Sequence, residues 1–385
     1  MRDYTYVIVG GGAAAGTAAE AIRKRDPKGS VAVFTREWAP PYQRPPLSKE
    51  YLQGSAPLSD VLMFPPAWYA ENGVDLHVGV TVDRIVPAAS RVETSAGALG
   101  YERLLLATGA EPRALTVPGA GTEGVYALRT YLDAEQLRGV RSSARNVVMI
   151  GSGFIGMEVA ASLRGGGCEV TVVTIDDALY ARFGPAVSGY AKSLFDRHGV
   201  KTIFGTGVVS IEGDTRVSSV TLADGRTIEA NAVVAGIGAL PDTKLAGDAG
   251  MHVDNGIVVD DRLCTSSAGI YAAGDAARFP AIDGHLIRVE HFDHAYASGA
   301  AAGANMAGAD EPYRYVPFFW SDVFELSFEF VGDPTGEAAV VQGEIDSGSF
   351  IVEYHEGDAL RGALLAKRPA EERDAYRERL LHATG

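Results

Sequence analysis

Apolar residues run without alternation through YTYVIV, stop at a triple glycine, and give way to AAAGTAAEAIRKR before the run resumes as VAVFT. An unbroken apolar run of this length, bounded by a glycine turn, predicts a buried strand, so the stretch predicts strand, turn, helix and strand. The same order returns at NVVMIGSGFIGMEVAASLRGGGCEVTVVT, with Gly151 opening the turn as Gly10 did in the first copy. Recurrence of the whole unit predicts two dinucleotide sites. LLLATG at 104–109 and AVVAGIG at 232–238 predict further strands that end in glycine turns near those sites.

Beyond NMAGADEPYRYVPFFW the pattern changes to alternation, FELSFEFVG and then SFIVEY, which predicts an antiparallel sheet. The expected architecture is therefore α/β: two Rossmann-like dinucleotide-binding domains followed by a C-terminal α+β domain. The boundaries fall at 1–110 with 238–310 for the first domain, 111–237 for the second and 311–385 for the third. The final AKRPAEERDAYRERLLHATG mixes both signs of charge and reads as a solvated helix.

A length of 385 residues accommodates two or three such domains. No apolar run approaches a membrane span, so a soluble chain is expected, without a membrane partner. The first strand begins almost at Met1, leaving no room for a secretory leader, and the cytoplasm is the expected compartment. Cys168 and Cys264 form no C-x-x-C pair and read as small buried hydrophobes. The 34 basic and 49 acidic residues give −15, with no basic stripe, which excludes nucleic acid as a partner and mildly disfavours an acidic protein.

Gly10-x-Gly12-x-x-Ala15 fits the dinucleotide fingerprint: a tight turn, a close approach of backbone to pyrophosphate, and a small residue seating helix on strand. Glu37 is the nearest acid after the second strand for the ribose hydroxyls, with Arg36 beside it. In the second copy, Gly151-x-Gly153-x-x-Gly156, enclosing Phe154 and Ile155, is complete. There Thr174 stands where an acid is common, Asp176 could reach the ribose instead, and Arg182 is the residue that could receive a 2′-phosphate. With no arginine directly after the strand, NADH is favoured over NADPH.

Beside these turns stand PYQRPPLSK at 41–49, LLLATGAEPR at 104–113 and TSSAGIYAAGDAA at 265–277. Together they resemble the FAD-dependent pyridine nucleotide-disulfide oxidoreductases, in their ferredoxin-reductase-like branch. That branch includes NADH reductases of oxygenase systems, monodehydroascorbate reductases and apoptosis-inducing factor.

The resemblance implies FAD in the first site, touched by Arg44, Thr108, Gly109, Arg113 and Asp275, and NAD in the second, with Gly238 at a strand end. It implies that Lys49 lies by the flavin N5 and pairs with Glu158, and that Trp320 of FFWSD stacks near the nicotinamide. Read without the resemblance, Lys49 is a solvated surface lysine, Glu158 an acid serving a helix dipole, and Phe318 or Phe319 an ordinary core aromatic, with Trp320 open between core and site.

The stretch RVEHFDHAYASGAAAGANMAG predicts a close-packed Ala/Gly helix whose N-terminus faces the flavin, with Glu290, His291 and Phe292 nearby. His291 and His294 lack the companion ligands a metal site needs.

Without a redox cysteine pair, electrons must leave the flavin for an external acceptor. The expected function is NADH oxidation with electrons passed singly to a small iron-sulfur protein. Two alternatives stay open: a redox sensor with a long-lived reduced complex, in which a homodimer changes with redox state, and a monodehydroascorbate or quinone reductase.

Overall fold

The computed structural model describes residues 3–334, 336 and 338–382. Tyr4–Val9 sits at the centre of a seven-stranded sheet, parallel to Val31–Thr35 on one side and to Gly97–Leu106 on the other. Val7, Ile8, Leu104, Leu105 and Leu106 are all fully buried. Covering both faces of a parallel sheet demands side chains without polar ends, which is why these strands read as unbroken apolar runs. Ile270–Ala272 returns from far along the chain to pair in parallel with Leu104–Leu106.

The second copy builds its own parallel sheet, with Asn146–Ile150 between Glu169–Val173 and Ala232–Ala235. The chain passes between the two sheets twice, and the passages pair as an antiparallel ribbon of Ala110–Pro112 with Ala239–Pro241. Thr108 Oγ1 donates to the Asp242 carbonyl at 2.6 Å, and the Arg113 N–H to the Gly238 carbonyl at 2.8 Å.

The third sheet is antiparallel and five-stranded, in the order Phe318–Val323, Leu326–Gly332, Ala359–Ala366, Ser349–Glu356, Ala338–Glu344. Alternation sends Phe319, Phe328, Phe330 and Tyr354 into a core shared with Tyr180, Phe183 and Leu194 of the second unit. The molecule is thus α/β, with two Rossmann-like units and a C-terminal antiparallel sheet.

Two sequence readings need correction. The C-terminal helix, Ala370–His382, is docked and not simply solvated: Tyr376 is buried and donates to Glu353 at 2.5 Å. Arg373 pairs with Glu329 at 2.8 Å while its guanidinium covers the Phe318 ring at 5.2 Å. A charge-rich composition hid this, because arginine stems and one tyrosine supply the apolar contact. Of the cysteines, Cys168 is buried but Cys264 is only half-buried, and both are unpaired.

Helix Phe292–Met306 lies against helix Ala13–Arg25 because two glycines let it. A Cβ on Gly299 would stand 2.3 Å from the Ala14 carbonyl oxygen, and one on Gly303 would stand 2.4 Å from that of Ala18. The same helix buries His294 completely, its ring stacked on Phe279 at 4.6 Å and its Nδ1 3.0 Å from the Tyr313 hydroxyl.

Burial pushes the pKa of this histidine down to about 3. The native state therefore needs the neutral ring, and the stability this confers is present above the unfolded value of about 6.5 and lost as pH falls toward 3. Between pH 7 and pH 4 the loss amounts to ~3 kcal/mol. His294→Gln should show a pH 7 to pH 4 drop in urea-unfolding free energy smaller than that of the parent by this amount. Equal drops would remove His294 from the account of acid sensitivity.

Candidate active site

The two glycine turns open onto one cleft of about 810 Å³. In the first turn the glycines answer to different needs. Gly10 has φ +146°, and a Cβ there would stand 2.1 Å from the Ala107 carbonyl oxygen, so this glycine belongs to the fold. Gly12 has nothing within 4 Å of its would-be Cβ and lines the cleft. The second turn repeats the division: a Cβ on Gly151 would meet the Gly236 carbonyl oxygen at 2.3 Å, whereas one on Gly153 would enter open cleft. Gly156 packs near Gly151, its would-be Cβ 3.3 Å from the Gly151 carbonyl oxygen.

Helices Ala13–Arg25 and Phe154–Gly165 begin at these turns with no side-chain cap and no acid in the first turn. Their leading N–H groups and dipoles face the room that the glycines leave, which is what a pyrophosphate requires. Both sites therefore fit a dinucleotide.

Most of the expected site residues line the cleft: Gly10, Gly12, Glu37, Arg44, Lys49, Thr108, Gly109, Gly153, Phe154, Ile155, Gly156, Glu158, Gly238, Asp275, Glu290, His291, Phe292 and Trp320. Ala15, Arg113, Gly151 and Asp176 are not part of its lining. Ala15 is fully buried beneath the turn, and Arg113 is exposed, contributing its backbone to the crossing ribbon. Asp176 is exposed, accepting from Ser152 at 2.8 Å and Thr174 at 3.2 Å.

The two cations of the proline-rich loop go to separate partners. Arg44 pairs with Glu37 at 2.8 Å, and its other nitrogen reaches the Tyr42 hydroxyl at 3.0 Å and the Arg129 carbonyl. Glu37 also accepts from Tyr42 at 2.5 Å. The Glu37 carboxylate at the end of its strand draws Arg44 to that side, while the short helical turn Pro45–Ser48 carries Lys49 away.

Lys49, 8% exposed, lies 3.5 Å from Glu158, which is 4% exposed. Glu158 also accepts from Ser48 at 2.5 Å and from Ser321 at 2.8 Å. Burial raises the pKa of Glu158, with Lys49 and the two hydroxyls opposing. Because the helix starts at Phe154, Glu158 is past its first turn, so service to the helix dipole does not account for an acid here. Trp320 is half-buried, its ring 5.8 Å from the Lys49 ammonium and edge-on to Phe292 at 5.9 Å.

His291 caps helix Phe292–Met306 without a side-chain hydrogen bond. Burial lowers its pKa to about 4 against the pull of Asp275, so it is neutral at pH 7, and its Nδ1 has no partner among the described residues. Glu290 is exposed and paired with Arg288 at 2.5 Å.

Sequence reasoning missed Arg129, which pairs with Asp275 at 3.1 Å on the cleft wall. Its only local signal is the Thr130–Asp133 capping box that follows it. It also missed Ser48, Ser321 and Asp322, each inside a motif that had been recognised for a neighbouring residue.

The chain is similar over most of its length to reductases. Rhodocoxin reductase of Rhodococcus erythropolis is 40% identical over 371 residues, covering 95% of this chain and 87% of that one. The anthranilate 1,2-dioxygenase system ferredoxin–NAD(+) reductase component of Burkholderia cepacia is 37% identical, covering 91% and 88%. Among solved structures, the covalent putidaredoxin reductase–putidaredoxin complex matches with a TM-score of 0.93 and 33% identity, covering 99% of this chain and 94% of that one. The family model described as pyridine nucleotide-disulphide oxidoreductase matches residues 4–302. The chain therefore belongs to the pyridine nucleotide-disulphide oxidoreductase family, enzymes that work with FAD and NAD(H).

Proposed function

We propose that this protein oxidises NADH at the second glycine turn, passes the hydride to FAD held at the first, and delivers electrons singly to a small iron-sulfur protein. The observation that carries this reading is the shared cleft: two bare glycine turns, with the buried Lys49–Glu158 pair between them and no cysteine on its walls. Bound FAD supplies the ability to accept two electrons together and release them one at a time. Names among the relatives, rhodocoxin reductase and ferredoxin–NAD(+) reductase component, support an iron-sulfur acceptor.

The chain's own residues have distinct tasks. Gly12 and Gly153 leave room for the two pyrophosphates. Glu37 presents a carboxylate, fixed by Tyr42 and Arg44, toward a ribose. With FAD bound, Lys49 would present a positive charge to it, and helix Phe292–Met306, capped by neutral His291, its N-terminus. Trp320 and Phe319 supply aromatic surface to the cleft wall. The domain division at 110, 237 and 310 remains part of this proposal, and the pairing of Ile270–Ala272 with Leu104–Leu106 supports assigning the segment after 237 to the first domain.

Preference for NADH is supported by the residues directly after strand Glu169–Val173, Thr174 to Asp177, which include no arginine to receive a 2′-phosphate. Arg182, a cation on the cleft wall of this unit, has its guanidinium 5.5 Å from the Phe183 ring and is the residue whose contact would favour NADPH instead. NADH should be used with kcat/KM at least about tenfold above NADPH, a difference that one charge contact supplies. Equal use of both would refute this assignment.

Among the described residues no helix is long and apolar enough to cross a membrane, and the cytoplasm is the proposed compartment. The test of the whole reading is anaerobic reduction of the flavin-loaded protein by NADH, followed by air or a one-electron acceptor while the flavin absorbance is recorded. Rapid reoxidation by an iron-sulfur protein supports the proposal. A reduced species that persists for minutes in air replaces it with the sensor reading.

A further inference from the structure

Strand Phe318–Val323 alternates in burial, and the alternation divides its labour. Phe319 and Val323 enter the core shared with the second unit, and Ser321, pointing the same way, donates to Glu158 at 2.8 Å. Trp320 and Asp322 point to the other side. Asp322 Oδ2 lies 3.6 Å from Lys49 Nζ, matching the 3.5 Å between that ammonium and Glu158 Oε1. One cation thus stands between two carboxylates delivered by different segments, one buried at 4% side-chain exposure and one open at 40%.

The two acids do not duplicate each other. Glu158 is satisfied by two hydroxyls as well as by Lys49 and has lost its water. Asp322 keeps contact with solvent, so its removal leaves no buried group unpaired and does not threaten the fold. We propose that Asp322 is a second counter-ion of Lys49, a positioning residue through which the C-terminal strand sets how much positive charge this ammonium presents to the flavin. The proposal rests on the reading of Lys49 given above.

The experiment measures the flavin midpoint potential of the FAD-loaded full chain by dye-calibrated reductive titration. The proteins are the parent, Asp322→Asn, Asp322→Glu, Lys49→Met and the Asp322→Asn/Lys49→Met pair. Less compensated charge at Lys49 stabilises the more negative reduced state, so Asp322→Asn should shift the potential to a more positive value. Asp322→Glu should restore it, and the shift should vanish when Lys49 is already methionine. An unmoved potential in Asp322→Asn, with Lys49→Met moving it downward, overturns the proposal while leaving the role of Lys49 standing. A potential that Lys49→Met does not move overturns the reading of Lys49, and this inference with it.

Discussion

Lys49→Met, loaded with FAD, is expected to be reduced by NADH about 10²- to 10³-fold more slowly than the parent, the size of effect seen when one preorganised charge-stabilising donor is removed. Lys49 is not an adjustable surface cation. It is buried at 8% exposure, held by Glu158 and Asp322, and carried on a loop whose Pro40, Pro41, Pro45 and Pro46 reduce the entropy of fixing it. Methionine matches the length of the stem and removes the charge together with the ammonium's hydrogen bond to Glu158.

The variant also strands Glu158, and an unpaired buried carboxylate is costly. The raised pKa of Glu158 limits that cost, since the group can be protonated in place. The Lys49→Met/Glu158→Gln pair should therefore recover thermal stability but not the reduction rate. Stopped-flow absorbance of the flavin band, with a melting curve for each protein, separates the two effects. A Lys49→Met protein that keeps its flavin and is reduced at the parental rate would end the assignment.

The second large effect sets two neighbouring glycines against each other. Gly10→Ala should destabilise the chain by about 3 to 5 kcal/mol, combining backbone strain at positive φ with overpacking. The reason is geometric: the added Cβ meets the Ala107 carbonyl oxygen at 2.1 Å, and backbone does not yield as a side-chain end would. Gly12→Ala meets nothing within 4 Å and should leave the unfolding midpoint of the flavin-free chain unchanged. It should instead weaken FAD binding, because its methyl group occupies the room reserved for pyrophosphate. Urea unfolding and flavin titration of both variants check the pair. Equal destabilisation by the two alanines would show that Gly12 serves the turn and not the cofactor.

The glycine turns were legible because a tight turn next to a phosphate imposes strict local rules, and local rules are written in consecutive residues. The apolar runs on either side were legible for the same reason: a strand covered on both faces tolerates no polar alternation. Lys49 and Glu158 could be named as partners only through resemblance, since 109 residues separate them and no periodicity connects them. Arg129 escaped notice altogether, because an arginine before a helix cap looks like any other until Asp275 is brought to it.

By itself the sequence determined the two strand–turn–helix units, the antiparallel C-terminal sheet and the lack of a cysteine pair. Tertiary structure alone decided that Arg44 turns to Glu37, that the final helix docks through Tyr376, and that Ser48, Ser321 and Asp322 surround one buried ion pair. The physical reason is the range of the interactions. Backbone conformation and binary patterning act over a few residues, whereas the placement of a charge depends on which distant carboxylates and hydroxyls the folded chain sets beside it once water has been excluded.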